Sequence, residues 1–125
     1  MWQKPDHRPL YLRTAILAYE INKLSDRFGR NITSATKDLV VKIKLDLWDL
    51  YTDIPESVHT SERNRLRDKI YHAIVRVSDI QLDCDEAPKG AKATLTIRRE
   101  CQQRCWDAER TLIGILTDIG ETFAQ

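Results

Sequence analysis

Four runs of apolar residues recur along this 125-residue chain at alternating spacings of three and four, and that repetition limits what it can fold into. In the first run, Leu10, Thr14, Leu17, Ile21, Leu24 and Phe28 trace one side of a helix. Pro9 sits where an opening helix tolerates proline, and Gly29 sits where a left-handed residue can close one. The second run is Thr36, Val40, Ile43, Leu47, Leu50 and Ile54, preceded by an Asn31 to Thr36 stretch rich in N-cap residue types and ended by Pro55. Within it, Lys42-Ile43-Lys44-Leu45-Asp46-Leu47 alternates with period two and passes locally for a strand. The longer stripe outlasts a normal strand, and Asp38, Lys42, Asp46, Asp49 and Asp53 fall on the opposite helical face, so the segment reads as a helix. Leu66, Ile70, Ala73, Val77, Ile80 and Cys84 make the third stripe, with cap options from Thr60 to Asn64. Pro88-Lys89-Gly90 then separates it from the fourth and longest, Ile97, Cys101, Cys105, Ala108, Leu112, Ile115 and Ile119. Four amphipathic helices joined by short links predict an all-α, antiparallel, up-down-up-down four-helix bundle. The expected helices span approximately 9–28, 33–54, 61–86 and 91–123, after an N-terminal arm at 1–8, in one domain over 1–125.

Composition narrows the functional classes more than it selects one. A chain that is 42% hydrophobic and 31% charged is too apolar for disorder and too charged for a membrane protein, and no stretch reaches the roughly 18 uncharged apolar residues of a span. Four glycines and four prolines leave little material for the turns of a many-stranded sandwich or barrel. The opening MWQKPDHRPLYLRT lacks the apolar stretch of a secretory signal, and three cysteines are an odd number, so reduced thiols in a cytoplasmic protein are the expectation.

No catalytic constellation emerges. Cys101 and Cys105 are one turn apart, as two metal ligands would be, but His7, His59 and His72 are scattered and the pair reads better as buried small hydrophobes. Glu100 with Glu109, or Asp79 with Asp83, are better read as solvated faces, because no helix carries the Glu-x-x-His signature of di-iron bundles. The chain also lacks a phosphate-cradling glycine loop, a G-x-S-x-G elbow and an H-E-x-x-H motif. The expectation is therefore a protein without enzymatic activity, bound metal or cofactor.

Charge is near balance overall, with 20 Lys+Arg against 19 Asp+Glu, but it is unevenly distributed. Residues 1–30 hold six basic side chains (Lys4, Arg8, Arg13, Lys23, Arg27, Arg30) against three acidic ones. Residues 87–110 hold another six (Lys89, Lys92, Arg98, Arg99, Arg104, Arg110) against three, while 31–86 is net negative. If the first and last helices are neighbours, their basic faces can merge into a phosphate-binding strip, with an ordinary mixed surface as the alternative. Trp48 and Trp106 lie on the flanks of their stripes and, with Tyr51, either seal a corner of the bundle or meet another subunit.

Pro9-Leu10-Tyr11-Leu12 opening the first helix, Phe28-Gly29-Arg30 closing it, Asp38-Leu39-Val40 through Leu50-Tyr51, the Leu66-Arg67 to Ile80 helix and the long last helix together resemble the accessory variability determinant of diversity-generating retroelements. That family is close in fold to the ribosomal intervening-sequence four-helix bundles. The resemblance spans nearly the whole chain and rests on helix order and residue types. It implies a pentameric barrel of four-helix bundles with no catalysis of its own, which binds the element's reverse transcriptase and the template RNA from which mutagenised cDNA is made. Arg98, Arg99, Arg104 and Arg110, with Arg8 and Arg13, would then be the nucleic-acid contacts. The alternative from another class is a small helical adaptor that pairs with proteins through Trp48, Tyr51 and Trp106 and has no nucleic-acid role.

Overall fold

In a computed structural model the chain is described over residues 8–54, 60–86 and 91–124, and its side chains over 9–54, 60–85 and 95–120. It forms four α-helices: α1 (Arg8–Phe28), α2 (Ser34–Thr52), α3 (Thr60–Glu86) and α4 (Ala91–Ala124). No strand occurs among the described residues, so the period-two stretch at 42–47 lies inside α2. Each helix packs on its chain neighbour and α4 returns to pack on α1, while among the described residues the backbones of the diagonal pairs stay apart.

Side-chain pairs across each seam give the direction. Arg13 meets Asp53 and Glu20 meets Lys42, so α1 and α2 run opposite ways. Lys44 Nζ donates to Gln81 Oε1 and Trp48 packs on Tyr71, which does the same for α2 and α3. Lys69 with Asp118 and Arg104 with Asp83 align α3 against α4. Gln102 Nε2 donates to the Ser25 carbonyl and Asn22 Nδ2 to Glu109, closing the antiparallel circuit between α4 and α1. The molecule is a four-helix bundle with one core.

That core is the four stripes. Every member of the sequence pattern is buried except Ile97, which is partly buried against the others, and Ala18 and Ile74 complete the packing. Three polar side chains share the interior, each satisfied locally: Thr14 Oγ1 donates to the Leu10 carbonyl, Ser25 Oγ to the Asn22 carbonyl, and Thr36 meets Thr33. A buried hydroxyl bonded to its own helix avoids the cost of a lone polar group, so threonine fits a core position.

Two helix ends depart from expectation. Gly29 is not left-handed, because no described glycine has positive φ. Its N–H instead donates to the Ser25 and Asp26 carbonyls, and its missing side chain admits a neighbour, since a Cβ there would lie 3.3 Å from Gln102 Nε2. A Cβ there would also lie 3.2 Å from the Asp26 carbonyl oxygen, so both the last turn of α1 and the Gln102 side chain crowd the position. α2 stops at Thr52 rather than 54, with the Asp53 N–H donating to the Asp49 carbonyl as the final turn. Its start is capped by Thr33, whose hydroxyl accepts from the Thr36 N–H at 3.2 Å.

Candidate functional site

The basic residues of α4 divide by which way their helix turns them. Arg98 faces α1, where its Nη1 donates to the Arg30 carbonyl at 2.6 Å and the Gly29 carbonyl at 3.3 Å. A helix ends with carbonyls that lack intrahelical donors and carry partial negative charge, so a guanidinium is a natural cap for it. Arg104 faces α3 and pairs with Asp83, and Arg13 on α1 pairs with Asp53 at 3.3 Å. These three candidate phosphate ligands are engaged within the bundle.

Arg99 and Arg110 differ, being exposed on the outer side of α4. One residue of helix is a 100° rotation, which separates Arg99 from Arg98 completely. The Arg98 clamp places Arg99 at the same end of the bundle as Arg27 and Arg30, which are also exposed. Lys23 is exposed as well, its Nζ 4.7 Å from the centre of the Tyr19 ring. Lys23 and Arg27 on α1, Arg30 just after it, and Arg99 and Arg110 on α4 are thus exposed basic residues, and the indole of Trp106 is exposed on α4 between Arg99 and Arg110 in sequence. Asp26 and Glu100 are exposed as well, and Glu109 accepts from Asn22. Arg8, Lys89 and Lys92 lie outside the residues whose side chains are described.

The structure does not bring the three candidate interface aromatics together. Trp48 and Tyr51 belong to the α2/α3 side, where their rings meet edge to face at 5.6 Å, and Trp48 also meets Tyr71 at 6.4 Å. Arg67 covers the Tyr51 ring at 5.5 Å. Trp106 is 45% exposed on α4, with no ring contact among the described residues. Sequence reasoning passed over Tyr71, Leu45, Val75 and Leu82 on this side and Leu12, Ile16, Tyr19 and Ile113 on the other. A second, weaker apolar periodicity offset from the core stripes was the signal that marked them.

The thiols form a buried group. Cys84 near the end of α3 lies against Cys101 on α4, with Cys105 one turn further, and all three are free and buried. A hydrogen bond from Cys101 pulls Cys84 below the ordinary thiol range, and that shared bond followed by burial pushes Cys101 up. Burial pushes Cys105 up as well. Among the described residues no group of three or more His, Cys, Asp and Glu is placed to hold a metal ion. Nor is any described helix long and apolar enough to cross a membrane.

Comparison with protein-family models, with curated proteins and with solved structures finds no match to the chain. The surface must be read from its own chemistry. α1 and α4 carry exposed basic side chains together with the exposed rings of Tyr11, Tyr19 and Trp106, and α2 and α3 carry an aromatic and aliphatic ridge.

Proposed function

We propose that the chain is a non-catalytic accessory protein of a diversity-generating retroelement, binding the element's reverse transcriptase and its template RNA or cDNA in support of mutagenic reverse transcription. The observation that supports this reading is that Arg30 and Arg99 are exposed at the end of the bundle where Arg98 ties α4 to α1, with Arg27 exposed one turn before Arg30 and the indole of Trp106 exposed two turns along α4 from Arg99. Guanidinium groups so placed neutralise successive phosphates and release condensed counterions, while an exposed indole stacks an unpaired base. Arg98, Arg104 and Arg13 take a supporting role in this reading, since each is held by a partner within the bundle. The reading includes self-association in the cytoplasm, for which the resemblance implies five copies.

A filter-binding titration with a structured RNA at several salt concentrations tests it. For Arg27→Ala with Arg99→Ala, affinity falls alike for all RNA sequences, and the slope of log affinity against log salt shrinks by roughly 0.7 to 0.9 for each phosphate that is no longer neutralised. Unchanged affinity in that variant takes both arginines out of the reading. Absence of binding by the unsubstituted protein takes out RNA, and leaves the adaptor reading that the Trp48, Tyr51 and Tyr71 cluster favours.

A further inference from the structure

Three free thiols converge where α3 and α4 meet. Cys84 lies in the last turn of α3, which ends at Glu86, and Cys101 and Cys105 lie one turn apart on α4. The Lys69–Asp118 and Arg104–Asp83 pairs fix the register of the two antiparallel helices, and it sets Cys84 level with the turn of α4 that runs from Cys101 to Cys105. Cys84 is 2% exposed, and the other two are fully buried. Within that turn it is Cys101 whose thiol shares a hydrogen bond with Cys84. Packing alone asks only for small apolar side chains at such positions, as at Ala108 further along the same stripe.

A thiol pair so placed has a chemistry that an apolar pair lacks. An S–S bond is about 2 Å long, so forming one shortens a contact that the fold already makes. The thiolate is the nucleophile in thiol oxidation, and at Cys84 it is favoured by the Cys101 S–H and then by the Lys37 ammonium at the start of α2, against burial and the Asp85 carboxylate. Cys84 is also the thiol nearest a helix end, and helix ends open locally at less cost than helix centres.

We propose that Cys84 and Cys101 are a redox-sensitive pair, oxidised by a hydroperoxide to a disulfide that fastens α3 to α4 and opened again by a dithiol. In the first step the Cys84 thiolate attacks a peroxide oxygen and the O–O bond breaks. The sulfur becomes a sulfenic acid, and the other oxygen departs with the proton that Cys84 had lost. In the second step the Cys101 sulfur attacks the Cys84 sulfur, the S–O bond breaks, and the hydroxide leaves as water with the Cys101 proton. Two thiols thus give up two electrons and two protons, and hydrogen peroxide becomes two waters. A second thiol already in contact traps the sulfenic acid before it is oxidised further. The bond lies one turn from Arg98, so oxidation fixes α4 to α3 at the end of the bundle where Arg98 ties α4 to α1. This goes beyond the function proposed above and does not depend on it.

Tryptic mapping of the full chain tests it. Cleavage after Arg76, Lys89, Arg99, Arg104 and Arg110 puts the three cysteines on separate peptides, residues 77–89, 100–104 and 105–110. The reduced protein is treated with hydrogen peroxide, remaining thiols are blocked with a maleimide in acidic denaturant, and the digest is analysed by mass spectrometry without reductant. The expected product joins 77–89 to 100–104, leaves Cys105 blocked by maleimide, and disappears with dithiothreitol. Oxidation also raises the melting temperature, on the order of 5–10 °C, because closing the loop between Cys84 and Cys101 constrains the unfolded chain. Cys105→Ala keeps both effects, whereas Cys84→Ala and Cys101→Ala lose both, with helicity by circular dichroism verifying that each variant folds. The mapping of the unsubstituted protein decides the pairing even where a variant does not fold. A bridge from 105–110 to either other peptide overturns the proposal, as do cysteines oxidised only to sulfinic or sulfonic acid, or three thiols all recovered with maleimide. A bridge between two chains, seen as a dimer on a non-reducing gel, overturns it too. A bridged protein that melts no higher than the reduced one overturns the claim that the bond fastens the fold.

Discussion

Arg98 and Arg99 are neighbours in sequence with opposite assignments in space. Arg98 holds the last carbonyls of α1, and Arg99 projects from the outer side of α4. A charged hydrogen bond to otherwise unpaired carbonyls is worth on the order of 1–3 kcal/mol when partly buried. Urea denaturation of Arg98→Ala is accordingly expected to give a loss of about 1–2 kcal/mol, with Arg99→Ala within about 0.5 kcal/mol of the unsubstituted protein. Equal losses for the two would mean that the clamp contributes nothing. This distinction was not legible in the sequence, where both residues read as phosphate contacts. Their roles follow from how α4 is rotated against α1, which composition and charge counts do not carry. The same holds for Arg104, whose partner Asp83 is on another helix. By contrast, the places of Trp48 and Trp106 on the flanks of the stripes were legible, although the sequence left open whether they seal a corner of the bundle or stay outside it, and both are exposed.

At the scale of the helix the sequence was far more informative. Hydrophobic periodicity is a local property repeated over many turns, so the four stripes identified both the helices and the sides they bury. The ambiguity at 42–47 resolved for the same reason: Ile43 and Leu47 are core residues of a stripe running from Thr36 to Leu50 within α2. Leu47 is fully buried at the middle of that helix, and its truncation leaves a cavity that neighbours on well-packed helices fill only in part. Leu47→Ala is therefore expected to cost about 2–5 kcal/mol, whereas Leu45→Ala, two residues away and 59% exposed, changes stability little. Comparable destabilisation by the two would contradict the assigned burial. Gly29 lay beyond such reasoning. Its sequence context suggested a left-handed cap, while what crowds it is the Asp26 carbonyl of its own helix and the Gln102 side chain from a helix more than seventy residues later.

Over the whole molecule, titration sums effects that single residues only hint at. The folded protein keeps Cys101 and Cys105 protonated above the ordinary thiol range, chiefly through the Cys84–Cys101 bond and burial, and only Cys84 shifts the other way. Lys42 is also raised, by its hydrogen bond to Glu20, so its contribution is likewise present below its ordinary pKa of 10.5 and lost above it. Groups raised on folding stabilise below their unfolded pKa, and the advantage disappears as the unfolded state loses protons that the native state retains. Stability should therefore fall as pH rises from 8 to 10, and fall less in Cys105→Ala. A urea midpoint unchanged over that interval would contradict the thiol environment described above. In sequence the charge is basic towards the ends of the chain and acidic in its middle, and the return of α4 to α1 makes neighbours of the two helices nearest those ends. That return also makes the bundle a closed circuit, in which α1 and α4 are as fully neighbours as any helices joined by a link, and antiparallel packing sets Arg8 and Ala124 at one end. The order in which the ribosome delivers the helices is in that sense a choice of where to cut a loop, and the same core is compatible with a chain that starts at α3 and ends at α2.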